Sequence, residues 1–320
     1  RPRIMAASTT NGDWLEVRFQ CGDVMHVSRY TRGWLRTHDC SPEALAQRRP
    51  QLQVWDAGIN DTLPTLDCSD YMNTDAGMRA WIEAIQLHGV VLLRGVPAQP
   101  GQLLDVARRI GNVRPSNFGE YYDVVSMPNP NASAYTSMGL ELHTDLANWN
   151  SPPDVQLLFC IRSSVRGGES LFADGFKVAT DLRARDPEAF RLLSSHPMDF
   201  RFHDDACDIR ASAPTIVLDG EGRITRVRFN NWLRAPMSLP EPLIEPMYAA
   251  LGTFWNMLRD PGYHLNLRLD PGCLIAYNNN RVLHGRKSFD PTTGERHLQG
   301  CYLNLEDLQS KLRLLDRAQV

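Results

Sequence analysis

The chain has 320 residues, with 37 acidic against 34 basic side chains and a formal net charge of −3, which excludes the strongly basic surface that nucleic-acid binding needs. At 42% hydrophobic and 22% charged residues it lies in the globular range, outside the disordered and fibrous classes. No run approaches the roughly 18 apolar residues of a membrane span, and the start RPRIMAASTTNGDW lacks the apolar core of a signal peptide, so a cytoplasmic or organelle-matrix enzyme without nucleic-acid or membrane partners is expected.

In chain order, residues 13 to 36 alternate apolar and polar side chains, which predicts a small antiparallel sheet. A short helix and connector follow from Cys40 to about Asp61, and the large domain is expected to open at Leu63, which places the division at residues 1–62 and 63–320. Asp75 precedes an amphipathic run carrying Met78, Trp81, Ile82 and Ile85 and ending at Gly89, a helix by its start and stop signals. Val90 to Leu93 then reads as a buried strand, with a further helix over 101–110. Beyond residue 150, strand-like runs dominate, at 154–161, 169–172, 224–229, 263–269, 273–278 and 296–303. A helical region around 175–195, marked by Asp186 and Pro187, and a stripe of Leu243, Met247, Leu251, Phe254 and Leu258 supply helices to cover a sheet. This order points to a mainly β fold with packed helices, a sandwich or barrel of jelly-roll type. The seven cysteines are scattered and never form CxxC, so neither a disulfide framework nor a self-contained zinc finger is indicated.

The segment LELHTDLANW places His143 and Asp145 two positions apart, on one face of an extended chain. Together with the distant His284 they could form a two-histidine, one-carboxylate triad with open metal positions, an arrangement suited to iron(II). HxD alone is weak evidence, because His203 and Asp205 repeat it. What distinguishes His143 is its company downstream: a GGES turn at Gly167 to Ser170, RVLHGR around His284, and Arg296 twelve residues further on.

Through GWLRTHDCSPEA, LPTLDCSDYM, AYTSMGLELHTD, PPDVQLLFC, GGESLFADGF, RFNN, NNNRVLHGR and GERHLQGCYLNLEDLQSKLR, the chain resembles the iron(II)- and 2-oxoglutarate-dependent dioxygenases of the clavaminate synthase and taurine dioxygenase type. Within them it is most similar to the γ-butyrobetaine and trimethyllysine hydroxylases. The resemblance implies a double-stranded β-helix core with a small β-rich N-terminal domain, and a homodimer. It implies that His143, Asp145 and His284 hold iron(II), that Arg296 pairs with the distal carboxylate of 2-oxoglutarate, and that Ser170 is a second contact to this cosubstrate. A guanidinium suits that carboxylate because it binds in a two-pronged, charge-assisted way.

A trimethylammonium group cannot donate a hydrogen bond, so a protein holds it with π faces. By the resemblance Tyr135 and Tyr302 line such a cage, with Tyr122, Phe118 and Trp149 as further candidates, and Asn230 matches a position that hydrogen-bonds the substrate's anion. The chain departs from the family at Ala132, where an asparagine is expected, and at Asn280, where arginine or tryptophan is usual. The expected substrate is therefore a small quaternary ammonium compound of γ-butyrobetaine type, oxidised with O2. Its alternatives are a trimethylammonium phosphonate, with Asn280 and Arg281 near the anion, or another amino-acid derivative. An inactive β-helix binding module is the rival of another class. The family's structural zinc is possible only if the chain extends further N-terminally, since His26 matches its histidine whereas Cys21 cannot replace three thiolates.

Overall fold

The computed structural model describes residues 1–10, 12–49, 51–125 and 136–317. The chain forms two compact units, residues 1–51 and 52–320. The first holds a three-stranded antiparallel sheet of Arg3–Thr10, Trp14–Cys21 and Val24–Thr31, followed by helices Arg32–Thr37 and Pro42–Arg48. The expected strand pattern thus gives way to helix at Arg32, where the Thr31 hydroxyl accepts the Trp34 N–H as a cap. His26 stacks on Phe19 at 5.5 Å within that sheet.

The division falls ahead of the expected boundary near residue 62, and the reason is packing. Trp55 and Ile59 of the connector are buried in the same apolar cluster as Leu92, Phe172 and Tyr277. The Trp55 indole also donates to the His88 carbonyl at 2.7 Å.

The second unit is built on two sheets. The six-stranded one runs Thr65–Asp67, Val90–Arg94, Leu274–Asn278, Val155–Ser163, Arg296–Leu303, Tyr121–Val125; the four-stranded one runs Leu265–Leu267, Ser170–Asp174, Val282–Arg286, Leu140–His143. All pairings are antiparallel except that of the first two strands of the larger sheet. Alternation explains why these strands read as continuous apolar runs. Leu92, Leu158, Ile275 and Leu298 of one sheet meet Phe172, Leu265 and Val282 of the other in a shared cluster. Their neighbours Val91, Leu157, Phe159 and Ala276 face helices Asp75–His88, Gln102–Arg108 and Leu305–Arg317. Ala173 and Leu283 face helices Gly175–Arg185, Pro187–Ser195 and Glu241–Arg259. The fold is mainly β with helices packed on both outer faces, as the strand-rich sequence implies.

Local signals match in detail. Thr74, one residue before the expected start, caps Asp75–His88 by accepting the Gly77 N–H at 2.9 Å, and Gly89 closes it in the left-handed region. Asp186 breaks the 175–195 region into two helices by accepting the Ala189 N–H ahead of Pro187. No helix among the described residues is long and apolar enough to cross a membrane.

Candidate metal centre and oxygenase pocket

The inward positions of both sheets carry the polar groups of the site. His143 ends its strand and stands directly opposite His284 on the adjacent one. Their rings lie 4.2 Å apart between centroids, and both are buried. Asp145 lies past the strand end, in a turn, so alternation alone does not bring it to the histidines. Its Oδ1 is 3.3 Å from His143 Nε2 and 3.7 Å from His284 Nε2. Ligand atoms of all three side chains fall within 4.8 Å of one another, and they form the one such group of His, Cys, Asp or Glu among the described residues. The second HxD pair, His203 and Asp205, is exposed where the hairpin Pro197–His203 and Asp208–Pro214 turns, and joins no such group.

Protonation also suits a metal. His143 Nδ1 meets the Glu141 carbonyl at 2.9 Å, and since a carbonyl only accepts, Nδ1 donates there and Nε2 is the nitrogen left to face a metal. Burial and the neighbouring His143 push His284 down to about 3, so it is neutral and able to coordinate. Burial works against the Asp145 carboxylate, whereas the hydrogen bond from the Tyr302 hydroxyl favours its anionic form. Ligands at right angles, each about 2.1 Å from an ion, stand about 3 Å apart, so the observed separations need little adjustment. The set of two imidazoles and one carboxylate fits a facial iron(II) site with open positions.

Around Asp145 the chain is held tightly. Tyr302 donates its hydroxyl to Asp145 Oδ2 at 2.7 Å. Asn279, almost fully buried, accepts the Asp145 N–H at 2.7 Å and donates to the Asp145 carbonyl at 3.1 Å. Leu146, with φ of 52°, is the one non-glycine residue in the left-handed region among those described, a conformation costing about 1–2 kcal/mol. The buried Arg228 guanidinium then donates to the carbonyls of Ala147, Trp149 and Asn150.

The cavity beside the triad is lined by Tyr122, Gln156, Ser170, Arg286 and Arg296 together with the ligands and apolar neighbours. Burial and the nearby Arg286 lower Arg296 to about 10, which leaves it charged at neutral pH. Among the described residues its guanidinium makes no hydrogen bond or ion pair; it lies over the Phe289 ring at 5.6 Å. Ser170 follows the Gly167–Gly168 turn, where φ of 81° and 78° explains the paired glycines. Tyr122 and Tyr302 have ring centroids 5.5 Å apart, and Gln156 donates to the Tyr122 hydroxyl at 2.6 Å. Tyr122 lies so close over Gly300 that any side chain there would run into its ring.

The model of the taurine catabolism dioxygenase TauD, TfdA family matches residues 48–302. The chain belongs to this family. It is 40% identical over 317 residues to a gamma-butyrobetaine dioxygenase of Pseudomonas sp. (strain AK-1), covering 98% of this chain and 82% of that one. It is 33% identical over 300 residues to the Homo sapiens gamma-butyrobetaine dioxygenase, covering 91% and 77%. Among solved structures, an asparagine oxygenase in complex with Fe(II), 3-hydroxyasparagine and succinate superposes with a TM-score of 0.55 at 19% identity, over 76% of this chain and 93% of that one, a likeness of fold.

The other expected site residues of this dioxygenase-family chain have the following surroundings. Phe118 packs edge-on against Phe202 at 5.8 Å and stands 6.4 Å from Tyr122. Trp149 sits under Arg114 at 6.0 Å. Asn230 is buried, its Oδ1 accepting the Trp232 and Leu233 N–H groups and its Nδ2 reaching the Thr144 carbonyl at 3.4 Å. Asn280 donates to Asp154 at 2.7 Å, and neither it nor Arg281 lines the cavity. Arg281 is buried against Asp174, with bonds of 2.7 and 3.1 Å, and donates to the carbonyls of Leu87 and Gln53. A place near the substrate anion does not fit that engagement. Tyr135 and Ala132 lie outside the described residues.

Sequence reasoning missed Asn279, Gln156 and Arg286. Gln156 had a signal, a lone polar residue on the inward side of the apolar run VQLLFCI. Arg286 stands two residues after His284 in a strand and hence on the same face. Its guanidinium donates to the Thr136 and Met138 carbonyls, and burial lowers it to about 10.

Proposed function

We propose that the chain is an iron(II)- and 2-oxoglutarate-dependent oxygenase that hydroxylates an unactivated carbon of a small trimethylammonium compound of γ-butyrobetaine type. The observation that carries this reading is the convergence of His143, Asp145 and His284 on one point, with the charged Arg296 in the same cavity. The similarity to two gamma-butyrobetaine dioxygenases supports the substrate class.

Iron held by these three side chains would couple the oxidising power of O2 to conversion of 2-oxoglutarate to succinate and carbon dioxide. The protein's part is placement. Arg296 offers a planar fork to the distal carboxylate of the keto acid, and Ser170 adds a hydroxyl. The Tyr122 ring on the cavity wall, with Tyr302 packed beside it, offers a cation π surface, a good contact contributing about 0.5–2 kcal/mol. Burial raises both phenols well above 10, so their hydroxyls remain donors and do not serve as bases. Holding one carbon near the metal then decides which bond is attacked. Tyr135, Phe118, Trp149, Asn230 and Asn280 remain candidates for the rest of the substrate pocket by resemblance alone.

The test is turnover. Succinate release is expected with γ-butyrobetaine, and a parallel assay with its phosphonate analogue separates the two anions. No 2-oxoglutarate consumption with any quaternary amine would overturn the cation site. The proposal extends to a homodimer in the cytoplasm, which light scattering and localisation of the tagged chain test.

A further inference from the structure

We propose that Asn279 is a positioning residue for the metal's carboxylate ligand, holding the backbone of Asp145 as a neighbouring strand would. The inference rests on the metal reading above and adds to it a residue that touches neither metal nor substrate. Asp145 lies beyond the end of its strand, so no sheet partner fixes its peptide groups. The Asn279 carboxamide takes that place. Its Oδ1 accepts the Asp145 N–H at 2.7 Å, and its Nδ2 donates to the carbonyls of Asp145 at 3.1 Å and Pro153 at 3.0 Å. All three contacts form at a residue 1% exposed, where an unmade hydrogen bond is most costly.

Two further observations show what the clamp opposes. Leu146, the next residue, is held in the left-handed region, a conformation a free leucine leaves readily. Arg228 grips the carbonyls beyond it, so the turn is pinned on its far side as well. Asn279 itself is fixed, because its N–H donates to the Asp154 carbonyl at 2.7 Å and it follows directly on the strand Leu274–Asn278. The carboxylate is thus referenced to the six-stranded sheet, while both histidines belong to the four-stranded one. Releasing Asn279 lets Asp145 relax away from two ligands that stay in place.

The experiment compares wild type, Asn279→Asp and Asn279→Ala in the full-length chain. Asn279→Asp keeps the volume and the acceptor for the Asp145 N–H, and its carboxyl, protonated against the two carbonyls, keeps at most one donor contact; Asn279→Ala removes all three. Cobalt(II) is titrated calorimetrically without O2 or 2-oxoglutarate, its ligand-field spectrum is recorded, and folding is followed by circular dichroism. The expected result is a folded Asn279→Asp that binds cobalt about 10- to 100-fold more weakly with a changed spectrum, Asn279→Ala being at least as impaired. Wild-type affinity and spectrum in a folded Asn279→Asp overturn the proposal. Weaker binding with an unchanged spectrum also overturns it, since the ligand geometry is then intact. If neither variant folds, Asn279 is a general structural residue and the proposal falls. Wild type that binds no cobalt, or His143→Ala that binds it equally well, overturns the metal reading instead.

Discussion

The hydroxyl of Tyr302 donates to Asp145 Oδ2 across 2.7 Å, leaving Oδ1 to face His143 and His284. One tyrosine thus orients a metal ligand while its ring stands beside Tyr122, and the two duties can be separated. Tyr302→Phe keeps the ring and removes the hydrogen bond, so metal affinity should fall several-fold with the KM for the quaternary amine nearly unchanged. Tyr302→Leu should raise that KM as well. Calorimetry and initial rates check both, and a Phe variant indistinguishable from wild type in metal binding would refute the orienting role.

His143→Ala should abolish iron-dependent succinate formation. The structure leaves no substitute, since His203 and Asp205 are exposed and join no ligand group among the described residues. Retained activity in the purified, iron-reconstituted variant would move the centre elsewhere.

Arg296→Lys retains the charge but not the fork. A charge-assisted hydrogen bond contributes about 1.5–3 kcal/mol, so the KM for 2-oxoglutarate should rise roughly 10- to 100-fold. The KM for the amine should change little. Steady-state kinetics with each substrate varied in turn distinguish this from a general loss.

Arg281 and Asp174 form an ion pair with side chains 1% and 0% exposed. Arg281→Leu leaves the Asp174 carboxylate buried with, among the described residues, the Trp55 and Phe176 N–H groups as its remaining partners, and should cost about 3–5 kcal/mol in urea unfolding. A stable variant with a raised KM for the amine would restore Arg281 to the substrate site.

The candidate ligands stand out in the sequence because two imidazoles and a carboxylate are a donor set suited to iron(II), while their order and spacing to Arg296 are what the family resemblance supplies. The sheets are legible because inward and outward positions both need apolar residues once helices cover each outer face. Arg281 looked available because its partner lies 107 residues away, and no local pattern announces a buried ion pair. Asn279 was passed over for a similar reason: a side chain that serves another residue's backbone has no spacing signature. The division after residue 51 is not legible in the sequence because Trp55 and Ile59 sit in a stretch with no clear periodicity, and their burial shows which unit they join.

His143 and His284 occupy facing positions on adjacent strands. Side chains alternate along a strand, so a slip of one residue would throw either imidazole to the opposite face. An ion held by both would act as a staple that fixes the stagger of the ladder, and a strong chelator should then loosen those strands as well as silence the chemistry.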